Sequence, residues 1–539
     1  MKKILSLAAS LLITGSLLAG GLVTNTNQSA LFTRLQNRNA STGIDAVYFN
    51  PAGLTKLGDG FFVSLNNQTI GQKKTINNNY TYLSGSPKDY IGDVSAPAYP
   101  GVYVAFNKGK LSLSAGFNPI GGGGGAKYNK GLPSFELSIA DIVPGLASQG
   151  IPTSQYSADI FFEGSSVYFG YQANVGYKVS EKLSLAAGVR LVSAANTYSG
   201  YLKSISINPT YPAFGAAYAG SMVLASSFFT SGAAFLNGLA ASATSASAGL
   251  TTAITGGVPA GTPLSAMPPA TVAGVTQLLG AAGISAAGMN IGTAAATLAA
   301  VAPAFTAKGT AMTANAAATQ DIQVDAEESG MGYTPLISAN YSPSEKLNIS
   351  LRDEFHTKLE LKTKVNNNMS GGIFVDGEKV VADMPALLAI GAEFKPMSKL
   401  MIAASMNMYF DKKTDYDGSS ALPNINMIDK NFLEYGLGVE YGLSEKLRAS
   451  AGWVATATGV NDAYQNDQRY STNTNSFGAG IGYRITPKID LNLGGQYTFY
   501  AEGSKDFNHM LGANPIPVTE VYNKNTWLVG VGVDFYFGK

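Results

Sequence analysis

The chain has 539 residues, and only 13% of them are charged, about half the ~25% of an ordinary soluble domain. A net charge of +1 gives no electrostatic reason to expect nucleic acid as a partner. The absence of cysteine excludes disulfides, thiolate metal sites and a lipidated-cysteine anchor.

Lys2 and Lys3 precede an uncharged stretch from Ile4 to Val23, with Ala19, Gly20 and Gly21 near its end. That is the pattern of a signal peptide over residues 1–21. Ser6, Ser10, Thr14, Gly15 and Ser16 make it a poor membrane anchor. Residues 22–60 show no alternation. They carry Leu31, Phe32, Leu35, Val47, Tyr48 and Phe49 among polar neighbours, which favours a segment folded inward as a plug.

From residue 61 to 539 the chain alternates with period two. Short turns at 107–111, 180–183, 344–347, 397–400, 444–447 and 486–489 each separate two alternating runs. Between these pairs lie loops of very unequal length. Tight turns on one side and long loops on the other predict an all-β, antiparallel transmembrane barrel. The six turns join twelve strands, and one more strand at each end makes fourteen. In the last run, Trp527, Val529, Val531, Val533, Phe535 and Phe537 share one face, while Gly530, Gly532, Asp534 and Tyr536 share the other. Apolar outside and small or polar inside is what lipid and a lumen require. The 62 glycines and 28 tyrosines fit crowded lumen positions and interfacial girdles.

Two loops stand out. The third strand is expected to stop at Phe117-Asn118-Pro119, opening a loop over residues 119–164 that begins with five glycines and holds helical turns near Ser134–Asp141 and Pro144–Ser148. The second loop spans 200–331, with no charged residue from Ser204 to Ala307. Pro268-Pro269 and Gly283 bracket one helix within it. A membrane-spanning helix over Ala213–Ala241, a disordered linker and a helical cap all compete; aromatics and topology favour the cap.

The segment ending in Asn50-Pro51-Ala52, its place between a signal and the first strand, the strand count and the two oversized helical loops resemble the long-chain fatty acid transporter family of Gram-negative outer membranes, the FadL/TodX type. The likeness in architecture covers the mature chain; in motif it covers mainly Asp45 to Leu54. The resemblance implies a lumenal hatch over residues 22–60 with Asn50, Pro51 and Ala52 as its signature. It also implies passive uptake of hydrophobic molecules, foremost long-chain fatty acids, with hatch movement opening a side exit into the bilayer. Expected partners are fatty acids or similar hydrophobic small molecules, outer-membrane lipid and the barrel assembly machinery. The chain departs from the pattern in its long uncharged loop and in Gly538-Lys539 after the terminal Phe537. An aromatic hydrocarbon channel, or an adhesion or structural outer-membrane protein, is the alternative.

Asn118 and Pro119 are the candidates for that side exit, because proline cannot donate to a strand ladder; the competing reading is a plain strand end. On the seventh strand Arg352, Glu354, His356, Lys358, Glu360 and Lys362 share one parity. Arg352 or Lys358 is a candidate contact for a carboxylate headgroup. An ion-pair ladder bracing the hatch is the favoured reading, since Glu354 and Glu360 can neutralise the cations. No enzyme and no cofactor is expected. His356 and His509 are the only histidines, no pair has metal spacing, and no Gly-x-Ser-x-Gly elbow occurs.

Overall fold

The computed structural model describes residues 28–367, 374–414 and 427–538. The expected signal peptide, 1–21, and the first plug residues, 22–27, lie outside them.

Fourteen antiparallel strands form a closed barrel. They are β1 (Gly60–Asn78), β2 (Lys88–Lys108), β3 (Leu111–Tyr128), β4 (Tyr156–Lys178), β5 (Leu183–Ile207), β6 (Ile322–Ser344), β7 (Leu347–Glu354, resuming at Glu360–Val365), β8 (Lys379–Val381, resuming at Leu387–Met397), β9 (Leu400–Tyr409), β10 (Phe432–Gly442), β11 (Leu447–Ala457), β12 (Thr474–Thr486), β13 (Ile489–Tyr500, resuming at Gly503–Leu511) and β14 (Asn514–Tyr536). Each pairs with the next, and β14 closes on β1 from Phe62↔Tyr536 to Asn78↔Glu520. Closure leaves no unpaired sheet edge.

All six expected turns join consecutive strands at one end of the barrel. Their chemistry is local. The Ser180 and Ser444 hydroxyls accept hydrogen bonds from the amides of Leu183 and Leu447 at 3.1 and 3.0 Å, closing the turn from its own first residue. Gly109, at φ +60°, supplies the left-handed residue of the first turn.

Large apolar residues cover the outside of the wall, among them Leu65, Val175, Leu185, Ile337, Leu437, Val529 and Val531. Phe61, Phe106, Tyr177, Tyr341, Tyr441, Tyr483 and Phe537 ring the short-turn end. A closed barrel wearing an apolar belt with an aromatic girdle is built to stand in lipid.

The long excursions are shorter than the sequence suggests, because strands run further. β3 does not stop at Asn118-Pro119; it continues through the glycines to Tyr128, held by β4 across two register shifts. The loop expected over 119–164 therefore shrinks to residues 129–155, with helices α3 (Pro133–Ala140) and α4 (Ile142–Ala147); these two are numbered after the plug helices α1 (Ala30–Arg34) and α2 (Ala46–Phe49). The loop expected over 200–331 occupies 208–321. It folds as α5 (Ala225–Thr255), α6 (Pro269–Ala281) and α7 (Ile291–Ala318), with α6 at the bracketed position. Phe228, Phe229, Leu279 and Leu298 bury themselves between these helices, and Ser247 Oγ donates to the Ala295 carbonyl at 2.8 Å. An uncharged stretch thus makes its own small core.

Candidate functional site

The N-terminal segment lies inside the barrel and touches the wall on nearly every side. Ser29 caps α1 by accepting from the Phe32 amide at 3.1 Å. Gly480, Gly494 and Gly530 sit where α1 passes, and a Cβ on any of them would meet Thr33 or Arg34 atoms within 2.7 Å. Glycine on inward positions is what lets the plug lie so close.

Two plug arginines bind wall carboxylates. Arg34 pairs with Glu440 and donates to Asn492 Oδ1 at 2.9 Å. Arg38 pairs with Asp45 at 2.9 Å and with Glu393 of β8 at 3.2 Å. Burial opposes the charge on Arg38, but Asp45 and Glu393 outweigh it and hold its pKa above the ordinary value. These pairs fix the plug in register with β8 and β10.

The Asn50-Pro51-Ala52 triplet makes a further contact with the wall, at β6. Asn50 Nδ2 donates to the Ser41 carbonyl at 3.0 Å and to Asn340 Oδ1 of β6 at 2.8 Å. The Ala52 amide donates to Ser338 Oγ at 2.9 Å, and Pro51 starts a 3₁₀ turn, Pro51–Lys56, needing no amide donor there. A Cβ on Gly53 would sit 2.4 Å from Asn50 Nδ2 and 2.5 Å from the Ser41 carbonyl oxygen. The triplet therefore ties this turn to the wall.

Tyr48 lies between two guanidinium groups, 4.7 Å from Arg190 and 4.8 Å from Arg352. Arg352 also donates to the Tyr48 carbonyl, and Glu354 pairs with Arg190 at 2.7 Å and Arg352 at 3.4 Å. Arg352 is thus neutralised by Glu354 and spent on bracing the plug, which leaves it poorly placed for a ligand headgroup, whereas Glu360, the other anion of the expected ladder, is exposed and pairs with Lys379. Lys358 corrects the sequence reading outright. The break in β7 at residues 355–359 reverses the parity, so Leu359 and Leu361 turn inward against the plug cluster and Lys358 is exposed on the other face.

The wall beside the plug is interrupted at Asn118-Pro119. β2–β3 pairing jumps from Ser95↔Gly125 to Val102↔Phe117, so residues 96–101 and 118–124 exchange no ladder bonds. Pro97, Pro100 and Pro119 fall in this stretch and have no amide to donate. Side chains cover the interruption instead. Tyr99 Oη donates to the Pro119 carbonyl at 3.1 Å, and Asn118 Nδ2 contacts Gln28 Oε1 of the plug. Tyr103 Oη donates to the Gln28 carbonyl. The start of the described plug is thereby seated on the inner side of the one place where the β2–β3 ladder lapses.

Sequence reading missed Arg190, Glu393 and Glu440. Each is a charged residue at an inward position of its strand, a signal that was available. Burying such charges in a lumen demands a partner.

No family sequence model matches the chain, and no curated protein sequence matches it. In structure it is similar to a FadL homologue of Pseudomonas aeruginosa, with a TM-score of 0.58 and 12% identity, over 96% of this chain and 100% of that one. The toluene transporter TodX of P. putida aligns at a TM-score of 0.47 and 14% identity, covering 93% of this chain and 95% of its own. The toluene transporter TbuX of Ralstonia pickettii aligns at 0.45 and 15%, covering 92% and 94%. The first of these likenesses carries the fold: this chain has the FadL type of barrel.

Proposed function

We propose that this barrel, with the fold of a FadL homologue, stands in the outer membrane and passively carries hydrophobic molecules inward. Long-chain fatty acids are the cargo this reading favours, and no enzymatic step is assigned. The observation that carries the reading is the pairing of a plugged lumen with an interrupted wall. A plug packed against most of the wall obstructs the straight path, and the β2–β3 interruption offers a path sideways, toward lipid.

Sideways release suits an apolar cargo. Burying about fifteen methylenes at ~0.8 kcal/mol each is worth roughly 12 kcal/mol before costs, so a fixed pocket would hold its ligand too long. Flux requires that plug movement weaken that hold. Asn118 and Gln28 touch, so withdrawing the plug's first residues uncovers the interruption from within. Tyr80, Tyr90, Tyr128, Tyr470 and Tyr522 gather at the long-loop end of the lumen, and these rings favour aromatic hydrocarbons as the second cargo.

The test is uptake of labelled palmitate and labelled toluene by cells lacking the gene, with and without the wild-type chain. Restored palmitate uptake supports the first cargo, and restored toluene uptake alone supports the second. No restoration of either, with the protein present in the outer membrane, would sink the transport reading.

A further inference from the structure

Charge is spread unevenly between the two ends of this barrel. Each of the six short turns carries an exposed lysine: Lys110, Lys182, Lys346, Lys399, Lys446 and Lys488. Lys108, Lys395 and Arg484 beside them bring the exposed cations at this end to nine, against four exposed acids, Asp59, Glu181, Glu345 and Glu445. The chain as a whole is net +1, so an excess of five at one rim leaves everything beyond it net negative.

The turn cations are not spent inside the protein. Among the described residues, none of the six turn lysines forms an ion pair. Two of the acids are already engaged, since Glu181 pairs with Lys178 at 2.7 Å and Asp59 accepts from the Gly109 amide at 2.9 Å. Arg484 shares the buried Asp490 with Arg448, so two cations there meet one anion. At the long-loop end, by contrast, cations meet anions one to one. Lys379 pairs with Glu360 at 2.7 Å, and Lys73 and Lys364 stand directly opposite Asp93 and Glu327 on the ladder.

The height of the ring is equally specific. In five of the six turns the lysine follows an exposed aromatic residue by five positions: Tyr177 and Lys182, Tyr341 and Lys346, Phe394 and Lys399, Tyr441 and Lys446, Tyr483 and Lys488. Such rings mark the boundary between acyl chains and headgroups. A lysine just past that boundary, on a flexible four-carbon stem, reaches the phosphate layer. The turns join every second pair of strands in a closed barrel, so the cations run round its whole circumference. Lipid surrounds a barrel on all sides, whereas a docked protein would ask for cations gathered on one sector.

We propose that the short-turn rim binds the anionic headgroups of phospholipids in the periplasmic leaflet, with the turn lysines as the contacts. The assignment stands apart from what the barrel carries. Lipid phosphate supplies the negative charge that the rim lacks, and the ring fixes the depth at which the barrel rides.

The test places the full-length barrel in phosphatidylcholine membranes and records electron spin resonance of chain-labelled phosphatidylglycerol and chain-labelled phosphatidylcholine. The motionally restricted fraction of each label reports its association with the barrel. A lysine at the headgroup layer is worth about fivefold, ~1 kcal/mol, and only one leaflet meets the rim. Averaged over both leaflets, wild type should prefer phosphatidylglycerol by about threefold, and 1 M salt should remove most of that preference. Lys110→Gln/Lys182→Gln/Lys346→Gln/Lys399→Gln/Lys446→Gln/Lys488→Gln should bring the two labels close to equal association. Arginine at the same six positions should keep the preference, as should Lys73→Gln/Lys364→Gln/Lys379→Gln at the other end. Heat-shifted electrophoretic mobility confirms that each variant forms a barrel; if the glutamine variant does not, the salt response of wild type decides. Equal association in wild type, a preference indifferent to salt, or one that survives the six glutamines would overturn the assignment. Inorganic phosphate added at constant ionic strength should leave the preference in place. Its loss would mark sites for a free small anion and overturn the lipid assignment.

Discussion

Arg190 holds Glu354 through two parallel hydrogen bonds of 2.7 and 2.8 Å, and the ring of Tyr48 rests on that pair from the plug side. The same carboxylate also serves Arg352, so one anion offsets two buried cations. Glu354→Ala should therefore cost more than loss of either arginine. About 3–5 kcal/mol is expected for stranding buried charge. Arg352→Met should cost less, because Arg190 keeps its partner. Denaturant unfolding followed by electrophoretic mobility measures both; a milder effect for Glu354→Ala would contradict the shared-anion picture. Ligand affinity should fall far less than stability in Arg352→Met.

The contact between Gln28 and Asn118 offers a lock. The chain has no cysteine, so a Gln28→Cys/Asn118→Cys pair would form a single defined disulfide. Oxidised cells should take up palmitate at close to the rate of cells lacking the protein, and a reductant should restore uptake. Uptake indifferent to the lock would exclude passage beneath Asn118.

Gly53→Ala tests the signature turn. The new Cβ would press on Asn50 Nδ2 and the Ser41 carbonyl. Overpacking of this kind costs roughly 1–3 kcal/mol. Because the loss falls on the plug and not on the strands, barrel mobility should be unchanged while single-channel recordings show larger and more frequent openings. A barrel as tight as wild type would show that the turn has slack.

Asp467, in the loop between β11 and β12, is buried, and burial raises its pKa even though the Ser134 amide donates to Oδ2 at 2.7 Å. An acid whose pKa is raised by folding adds stability below its unfolded value and loses it as pH rises through the folded value. The melting temperature should therefore carry a component that declines as pH rises above the ordinary carboxylate range. Asp467→Asn should flatten that component, and an unchanged pH profile would rule it out.

Period-two alternation made the strands, the turns and the outward face of β14 legible, because a barrel imposes two solvents on one strand. The reach of β3 was not legible. Its glycines read as a loop, yet β4 supplies the partners that hold them extended, and a partner strand is invisible to local pattern. The reversal in β7 escaped for a similar reason: the break at 355–359 shifts parity without changing the run of alternating residues. Arg34 could be seen as a charge in an apolar setting. Its partner Glu440, 406 positions away, could not.

The plug precedes β1, and the barrel closes where β1 meets β14. One strand therefore serves both parts: β1 is the plug's tether at Gly60 and half of the closing seam. A disturbance of the β1–β14 pairing would thus reach the plug's anchorage as well as the wall.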